Sequence, residues 1–199
     1  MPGALTVIAR SPEETRILGA ALAPVLLPGD VISLSGDLGA GKTVFVQGLA
    51  AALGVSEQVT SPTFTIVNEY EGRYRIVHMD VYRLNSFQEV IDLGFDDLFD
   101  PDGVMVVEWG EAVAPLLPPR HLDIEMNRAE DPDAVLERVI TFRPRGREWS
   151  MKLDSMRRTA EALLDAASPE EGSGARFMQR ARPQARDDSA GGTGSDLEA

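Results

Sequence analysis

Short apolar runs, separated by glycine, proline and charged positions, make up the first 147 residues of the chain. The runs at 31–34 and 104–107 are continuously apolar, which is typical of strands buried on both faces of a sheet. Further strands are predicted at 5–8, 122–126 and 139–142. The segments 64–70 and 74–80, with Glu71-Gly72-Arg73 between them, are typical of a β-hairpin.

Two helices are predicted between these strands. The first begins at Ser11-Pro12-Glu13-Glu14, because a capping side chain, a proline at the first helical position and acidic residues favour a helix start. It is expected to end at Pro28-Gly29 and to bury Ile17, Leu18, Ala21, Leu22 and Val25. The second helix covers 44–53 and ends at Gly54. Strands that alternate with helices, together with the hairpin, predict an α/β fold with a mixed sheet flanked by helices.

The chain changes character near residue 148, so one organised domain is expected at 1–147. Apolar residues at roughly helical spacing predict an appended helix at 148–167; they are Met151, Leu153, Met156, Ala160, Leu163 and Leu164. The segment 168–199 is rich in glycine, serine and arginine and predicts a mostly disordered tail.

Composition excludes several classes of protein. The 199 residues contain 19 Lys+Arg and 32 Asp+Glu, a net charge of −13, which argues against a surface that holds nucleic acid by neutralising phosphates. There is no cysteine, which excludes disulfide scaffolds, thiol catalysis and cysteine-ligated metal centres, and the presence of only two histidines argues against a histidine-rich metal site. No secretion signal is evident and the uncharged stretch 17–29 is too short to span a bilayer, so a cytoplasmic protein without membrane association is expected.

The segment 36–43, Gly-Asp-Leu-Gly-Ala-Gly-Lys-Thr, matches the phosphate-binding P-loop pattern. Its glycines let successive backbone N–H groups converge on phosphate oxygens. Lys42 can reach the β- and γ-phosphates, and the Thr43 hydroxyl can ligate Mg²⁺. Because a buried strand precedes the loop and a helix follows it, the sequence predicts that this segment binds a nucleoside triphosphate.

Two acidic residues end predicted strands and are candidates for the metal partner of the loop. Asp80 ends 74–80, and Glu108 follows 104–107; the sequence leaves open which one contacts the metal. His78 lies on the same strand face as Asp80 and is more typical of a packed, hydrogen-bonded residue than of a catalyst. Thr63 and Thr65 are candidates to sense the γ-phosphate, with an ordinary loop as the equal alternative.

Four segments together resemble the TsaE (YjeE) family, the small bacterial ATPases of tRNA threonylcarbamoyladenosine biosynthesis. They are GDLGAGKT at 36–43, SPTFTIVNEY at 61–70, HMDVYRL at 78–84 and VEWGE at 107–111, in the order and spacing of that family. The resemblance covers about 5–143 and implies a P-loop NTPase-type fold.

The resemblance implies a Mg²⁺-dependent ATPase that acts with the TsaB and TsaD proteins and reaches tRNA adenosine 37 only through them. Hydrolysis by the chain alone is expected to be slow. By motif, the residues that bind the ATP phosphates are Leu38, Gly39, Ala40, Gly41, Lys42 and Thr43. Thr43 and Glu108 would hold Mg²⁺, Asp80 would position or activate water, and Lys42, Asp80 and Glu108 would form the catalytic set. Further nucleotide contacts are expected from Trp109, Ser11 and Arg138.

Two alternatives remain at this stage. A P-loop small-molecule kinase would need a lid or clamping arginines, whereas the arginines after the loop are scattered; they are Arg73, Arg75 and Arg83. A guanine-nucleotide switch typically carries an Asn-Lys-x-Asp segment, but the only lysine after the loop, Lys152, follows Met151.

Overall fold

The computed structural model describes residues 3–84, 89, 98–167 and 177–179, and these form a mixed sheet flanked by helices. The strands are β1 (Leu5–Ala9), β2 (Val31–Ser35), β3 (Val67–Tyr70), β4 (Ile76–Asp80), β5 (Val104–Glu108), β6 (Leu122–Arg128), β7 (Arg138–Pro144) and β8 (Phe177–Gln179). The helices are α1 (Pro12–Ala20), α2 (Lys42–Ala52) and α3 (Arg147–Ala167), with 3-10 turns at Ala23–Val25 and Gly110–Leu116.

The sheet has the order β3-β4-β5-β2-β6-β7-β1-β8. Its centre is parallel: β4 pairs with β5, β5 with β2, and β2 with β6. Both margins are antiparallel, with β3 on β4 at one side and β7, β1 and β8 in succession at the other. The parallel strands bring their carboxyl ends to one edge, where the loop after β2 meets the last residues of β4 and β5.

Each face of the sheet buries its own cluster of apolar side chains. The helices α1, α2 and α3 cover one face through residues such as Leu18, Phe45 and Leu153. The 3-10 turn at Gly110–Leu116 helps to cover the other face with Val113. No helix in the described ranges is long and apolar enough to cross a bilayer.

Two glycines allow α1 and α2 to pack in direct backbone contact. A Cβ on Gly19 would lie 2.1 Å from the carbonyl oxygen of Phe45, and one on Gly48 would lie 2.0 Å from that of Arg16. Both distances are far below van der Waals contact, so a larger residue at either position would force the helices apart. This close packing fixes α2, the helix that follows the phosphate loop, which is the P-loop segment 36–43.

The predicted α/β fold is confirmed, and the structure corrects several boundaries. The first helix ends at Ala20, not at Pro28-Gly29, because Pro24 has no N–H to continue the helical hydrogen bonds and the chain tightens into a 3-10 turn. The predicted strand 64–70 begins at Val67, since the preceding residues turn at Ile66, whose φ is 69°. Phe64 lies in that turn and is 80% exposed.

The region after residue 147 contributes more to the fold than the sequence suggests. The predicted helix is present as α3 and buries Trp149, Met156 and Ala160 in the same core as α1 and α2. Three residues of the segment predicted to be disordered, Phe177–Gln179, form β8 on β1. The rest of 168–199 lies outside the described residues.

Candidate functional site

The loop between β2 and α2 has the backbone that its glycines predict. The φ values of Gly36, Gly39 and Gly41 are 120°, 76° and 102°, and residues other than glycine rarely adopt such values. A Cβ on Gly36 would also lie 1.9 Å from the carbonyl oxygen of Met126 in β6. Gly41 caps α2 without a side-chain hydrogen bond, so the first N–H groups of that helix stay available to an anion.

Lys42 is buried at the start of α2. Its Nζ donates to the carbonyl oxygens of Gly36 at 2.6 Å and Asp37 at 3.0 Å, and it lies 3.6 Å from the centroid of the Trp109 ring. Burial lowers the pKa of Lys42, and four nearby carboxylates oppose that shift; they belong to Glu108, Glu111, Asp80 and Asp37. The cation is therefore held by backbone and an aromatic face, groups that a phosphate can replace.

Thr43 and Glu108 form one hydrogen-bonded unit. The Thr43 hydroxyl donates to Glu108 Oε1 at 2.8 Å, and His78 Nε2 lies 2.9 Å from the same oxygen. His78 is fully buried, and its Nδ1 has no partner among the described residues, so Nε2 carries the proton that it donates to the carboxylate. The histidine thereby fixes the Glu108 carboxylate, in agreement with the packed role that the sequence favours.

Asp80 lies opposite Glu108 in the register of β4 and β5. Its Oδ2 accepts hydrogen bonds from the hydroxyls of Ser61 at 3.0 Å and Thr63 at 2.7 Å, and its Oδ1 accepts one from the Tyr82 N–H at 2.9 Å. Of the two candidate threonines, Thr63 thus joins the site. Thr65 instead donates to Asn68 Oδ1 at 2.8 Å and stands apart from Asp80.

These groups converge on a cavity of about 370 Å³, a volume typical of small-molecule sites. It is lined by Leu38, Gly39, Ala40, Gly41, Lys42, Thr43, Val44, Ser61, Thr63, Asp80, Tyr82, Glu108 and Trp109. A smaller neighbouring cavity of about 90 Å³ shares Gly39, Gly41 and Val44 with it and is lined further by Pro12, Thr15, Leu136 and Arg138. The two cavities thus lie side by side on the loop between β2 and α2.

The oxygen donors in the cavity suit a hard divalent cation. The Thr43 hydroxyl and the carboxylates of Glu108 and Asp80 are the ligand types that Mg²⁺ prefers, and nucleotide-bound Mg²⁺ takes only one or two of them from the protein. No group of three or more His, Asp and Glu side chains in the described ranges is arranged to hold a metal by itself. The donor set therefore fits a cation that arrives with phosphates.

The structure brings most of the predicted site residues together, and Ser11 lies at their margin, next to Pro12 of the smaller cavity. Its hydroxyl accepts the Glu14 N–H at 3.2 Å as the cap of α1, and Ser11 lines neither cavity. Arg138 lines the smaller cavity and donates to the Gly39 carbonyl oxygen at 3.3 Å. Sequence reasoning missed the roles of Ser61 and Tyr82; both lie within recognised motifs, but no local pattern indicates a contact with Asp80.

A family model and the curated relatives of the chain carry the same description. A family model described as "Threonylcarbamoyl adenosine biosynthesis protein TsaE" matches residues 9–139. The chain is 44% identical over 149 residues to the tRNA threonylcarbamoyladenosine biosynthesis protein TsaE of Bacillus subtilis, which covers 74% of this chain and 90% of the relative. It is 44% identical over 124 residues to the protein of the same name from Treponema pallidum, which covers 62% of this chain and 92% of the relative.

A solved structure shares the fold. The crystal structure of Bacillus subtilis YdiB superposes with a TM-score of 0.68 at 39% sequence identity and covers 79% of this chain and 97% of that one. The match therefore includes nearly all of the solved protein.

Proposed function

The chain belongs to the TsaE family, and from that premise we propose that it binds and hydrolyses ATP with Mg²⁺ in the threonylcarbamoyladenosine modification of tRNA adenosine 37. One observation supports the ATPase part above all. The Thr43–Glu108 hydrogen bond, the buried Lys42 and Asp80 line one cavity at the phosphate loop. The family relatives, which are named for tRNA threonylcarbamoyladenosine biosynthesis, support the tRNA part.

In this proposal the phosphates of ATP bind to backbone N–H groups of the loop and of the first turn of α2. The Lys42 ammonium leaves the carbonyl oxygens of Gly36 and Asp37 and donates to the β- and γ-phosphates. The exchange is favourable because a charge-assisted hydrogen bond to phosphate is stronger than one to a neutral carbonyl. The adenosine part extends towards the smaller cavity, where Arg138 and Leu136 supply the walls.

Mg²⁺, when bound with ATP, neutralises charge that develops on the phosphates. Thr43 and Glu108 are the residues that would hold it. Their hydroxyl and carboxylate oxygens are already joined, and His78 keeps the Glu108 side chain in one orientation. Asp80, the other acid, has a different environment, because the hydroxyls of Ser61 and Thr63 and the Tyr82 N–H donate hydrogen bonds that fix its carboxylate.

We assign Asp80 the task of orienting the attacking water. A carboxylate held by hydroxyls from one side can accept a hydrogen bond from water on the other. The water oxygen forms the new bond to the γ-phosphorus, the bond to the ADP oxygen breaks, and the water proton passes to Asp80 or to the phosphate product. Because Ser61 and Thr63 hold Asp80, movement of their loop would change the position of this carboxylate.

We propose that the chain acts with the TsaB and TsaD proteins in the cytoplasm and reaches tRNA through them. Hydrolysis by the chain alone should be slow, because Lys42 is the only cationic side chain among the described residues that line the main cavity. Stabilisation of transferring phosphoryl groups commonly uses a further arginine, which a partner can supply. The net charge of −13 also suits docking on a basic protein surface better than on tRNA. The same single cation disfavours a small-molecule kinase.

The test is ATP hydrolysis by the purified chain, alone and with TsaB, TsaD and tRNA. Slow hydrolysis that the partners accelerate, and that Lys42→Ala abolishes, is the expected result. Lys152→Ala is the matched control, since the other lysine of the chain is paired with Asp30 and lines neither cavity. Hydrolysis that survives Lys42→Ala contradicts the ATPase site. Hydrolysis that the partners leave unchanged contradicts the tRNA role, and ATP loss that requires an added small acceptor would favour the kinase.

A further inference from the structure

Two arginines from neighbouring strands contact the outer side of the phosphate loop. Arg128 at the end of β6 and Arg138 at the start of β7 face each other in the strand register. Arg128 Nη2 donates to the carbonyl oxygen of Leu38 at 3.4 Å, and Arg138 Nη2 donates to that of Gly39 at 3.3 Å. Arg138 also donates to the carbonyl oxygens of Val135 and Glu137, so it is anchored in its own hairpin.

Neither guanidinium has a carboxylate partner among the described residues. Elsewhere in the same strands Arg143 pairs with Glu125, as is usual in a chain with 32 acidic and 19 basic side chains. Burial and then the charge of Arg128 lower the pKa of Arg138, so the two cations repel each other. Like charges placed opposite each other on paired strands are destabilising. Both instead contact the loop that is proposed to hold phosphates.

Because the Leu38–Gly39 peptide bond is trans, the Arg128 contact also fixes the direction of the Gly39 N–H relative to the cavity. A peptide C=O and the N–H that follows it point in opposite directions in one plane. When Arg128 holds the Leu38 carbonyl on the outside, the Gly39 N–H is turned away from the guanidinium, and Gly39 lines the main cavity. That N–H donates to no group in the described part of the chain, whereas the next one, of Ala40, donates to the Asp37 carbonyl oxygen at 3.1 Å.

We propose that Arg128 is a positioning residue of this site, which fixes the Leu38–Gly39 peptide so that the Gly39 N–H is presented to the β-phosphate of the nucleotide. The close approach depends on the missing side chain of Gly39, because a Cβ there would lie 2.8 Å from Arg128 Nη2. The inference rests on the proposed function and adds to it a residue outside the phosphate loop and outside both cavity linings.

The proposal predicts a dependence on the β-phosphate. P-loop N–H groups hold the α- and β-phosphates, and the proposal assigns the Gly39 N–H to the β-phosphate, so loss of the Arg128 contact should weaken the binding of ADP and of ATP by the same factor. The factor is about tenfold, the effect of one hydrogen bond that involves a charged group. AMP, which has no β-phosphate, should bind Arg128→Ala as well as it binds the unchanged chain. Arg128→Lys keeps the charge but not the planar fork, and should recover only part of the affinity.

The experiment measures dissociation constants of AMP, ADP and ATP by displacement of a fluorescent ADP analogue. The variants are Arg128→Ala, Arg128→Lys and, as the matched control for loss of one positive charge on the same hairpin, Arg143→Ala. The control should bind all three nucleotides unchanged. Thermal unfolding of each variant, measured without nucleotide, separates a general loss of structure from the predicted effect, and Arg128→Lys retains the test if the alanine variant fails to fold.

Each other outcome has a distinct meaning. If Arg128→Ala binds AMP and ADP more weakly by the same factor, or if its affinity for ADP is unchanged, the positioning role is overturned. Weakening of ATP alone also overturns it, because Arg128 would then act on the γ-phosphate directly. If the unchanged chain binds neither ADP nor ATP, the proposed function itself fails, and this result is distinguishable from all of the others.

Discussion

Replacement of Gly36 by alanine tests the packing that shapes the phosphate loop. Gly36 has a φ of 120°, and an added Cβ would lie 1.9 Å from the Met126 carbonyl oxygen. Contacts below 3.0 Å are essentially never seen, so the two groups must separate by about 1.1 Å. Met126 lies within β6, which pairs with β2 on one side and β7 on the other, so neither side can move without breaking sheet hydrogen bonds.

The expected cost has two parts. A non-glycine residue at positive φ costs about 1–2 kcal/mol. Forcing an extra methyl group into packed structure adds about 1–3 kcal/mol. Gly36→Ala should therefore lower the free energy of unfolding by about 2–5 kcal/mol, a large part of the stability of a typical domain.

Gly54→Ala is the matched control. Gly54 has a φ of 85°, but a Cβ there meets no atom within 4 Å, so only the backbone cost applies. The change in the unfolded chain on replacing glycine by alanine is the same at both positions and cancels in the comparison. Urea unfolding of both variants measures the difference, which should be about 1–3 kcal/mol. If Gly36→Ala loses no more stability than Gly54→Ala, β6 does not press on the loop as described.

The remaining predictions concern the acids, the tryptophan and one histidine. Asp80→Asn should lower the rate of ATP hydrolysis by about 100-fold or more while the affinity for ATP changes little. Glu108→Gln should remove the Mg²⁺ dependence of ATP binding. If titrations with and without Mg²⁺ give the opposite result for the two variants, the two roles are reversed. In a Trp149→Phe background, ATP should change the emission of Trp109 because Lys42 leaves its ring face, and a spectrum unaffected by saturating ATP contradicts that movement. Burial disfavours the His121 cation, but hydrogen bonds to Asp123 and to the Pro118 carbonyl oxygen outweigh it and raise the pKa of His121. The stabilisation of the folded state by protonated His121 is complete below the pKa of the unfolded chain, about 6.5, and is lost as the pH rises through the pKa of the folded protein. In urea unfolding, His121→Gln should therefore lower the free energy of unfolding more at about pH 5.5 than at about pH 9. Equal losses at the two pH values would show that the direction of this pH dependence is wrong.

Local sequence signals predicted the parts of the fold that depend on local physics. The P-loop between a buried strand and a helix, the capped start of α1 and the hairpin of β3 and β4 follow from glycine, capping and alternation patterns. The end of α1 was missed because the apolar spacing continues past Ala20, where the chain tightens into the 3-10 turn that contains Pro24. The turn before β3 was missed because Ile66 is β-branched and yet takes a positive φ.

Contacts between distant segments set the limit of prediction at the site. That Asp80 and Glu108 both end strands was visible in the sequence, and the resemblance paired Thr43 with Glu108, but the contact of Ser61 with Asp80 needed the three-dimensional structure. Arg128 contacts a carbonyl group 90 residues away, and no periodicity or motif marks it. Ser11 shows the converse, since its local capping signal was correct, while its predicted nucleotide contact stays a prediction.

The position of β1 between β7 and β8 has a consequence for synthesis on the ribosome. Thr6 contacts Thr141, 135 residues later in the chain. At about 5–20 residues per second, β1 therefore waits roughly 7 to 27 s for its partner strand, with the apolar side chains of Leu5 and Val7 uncovered. The β6 strand, whose Met126 packs on the loop at Gly36, ends at Arg128, so nucleotide can stabilise the protein by mass action only after about two thirds of the 199 residues have been made. Until then the uncovered first strand can pair with a wrong strand edge.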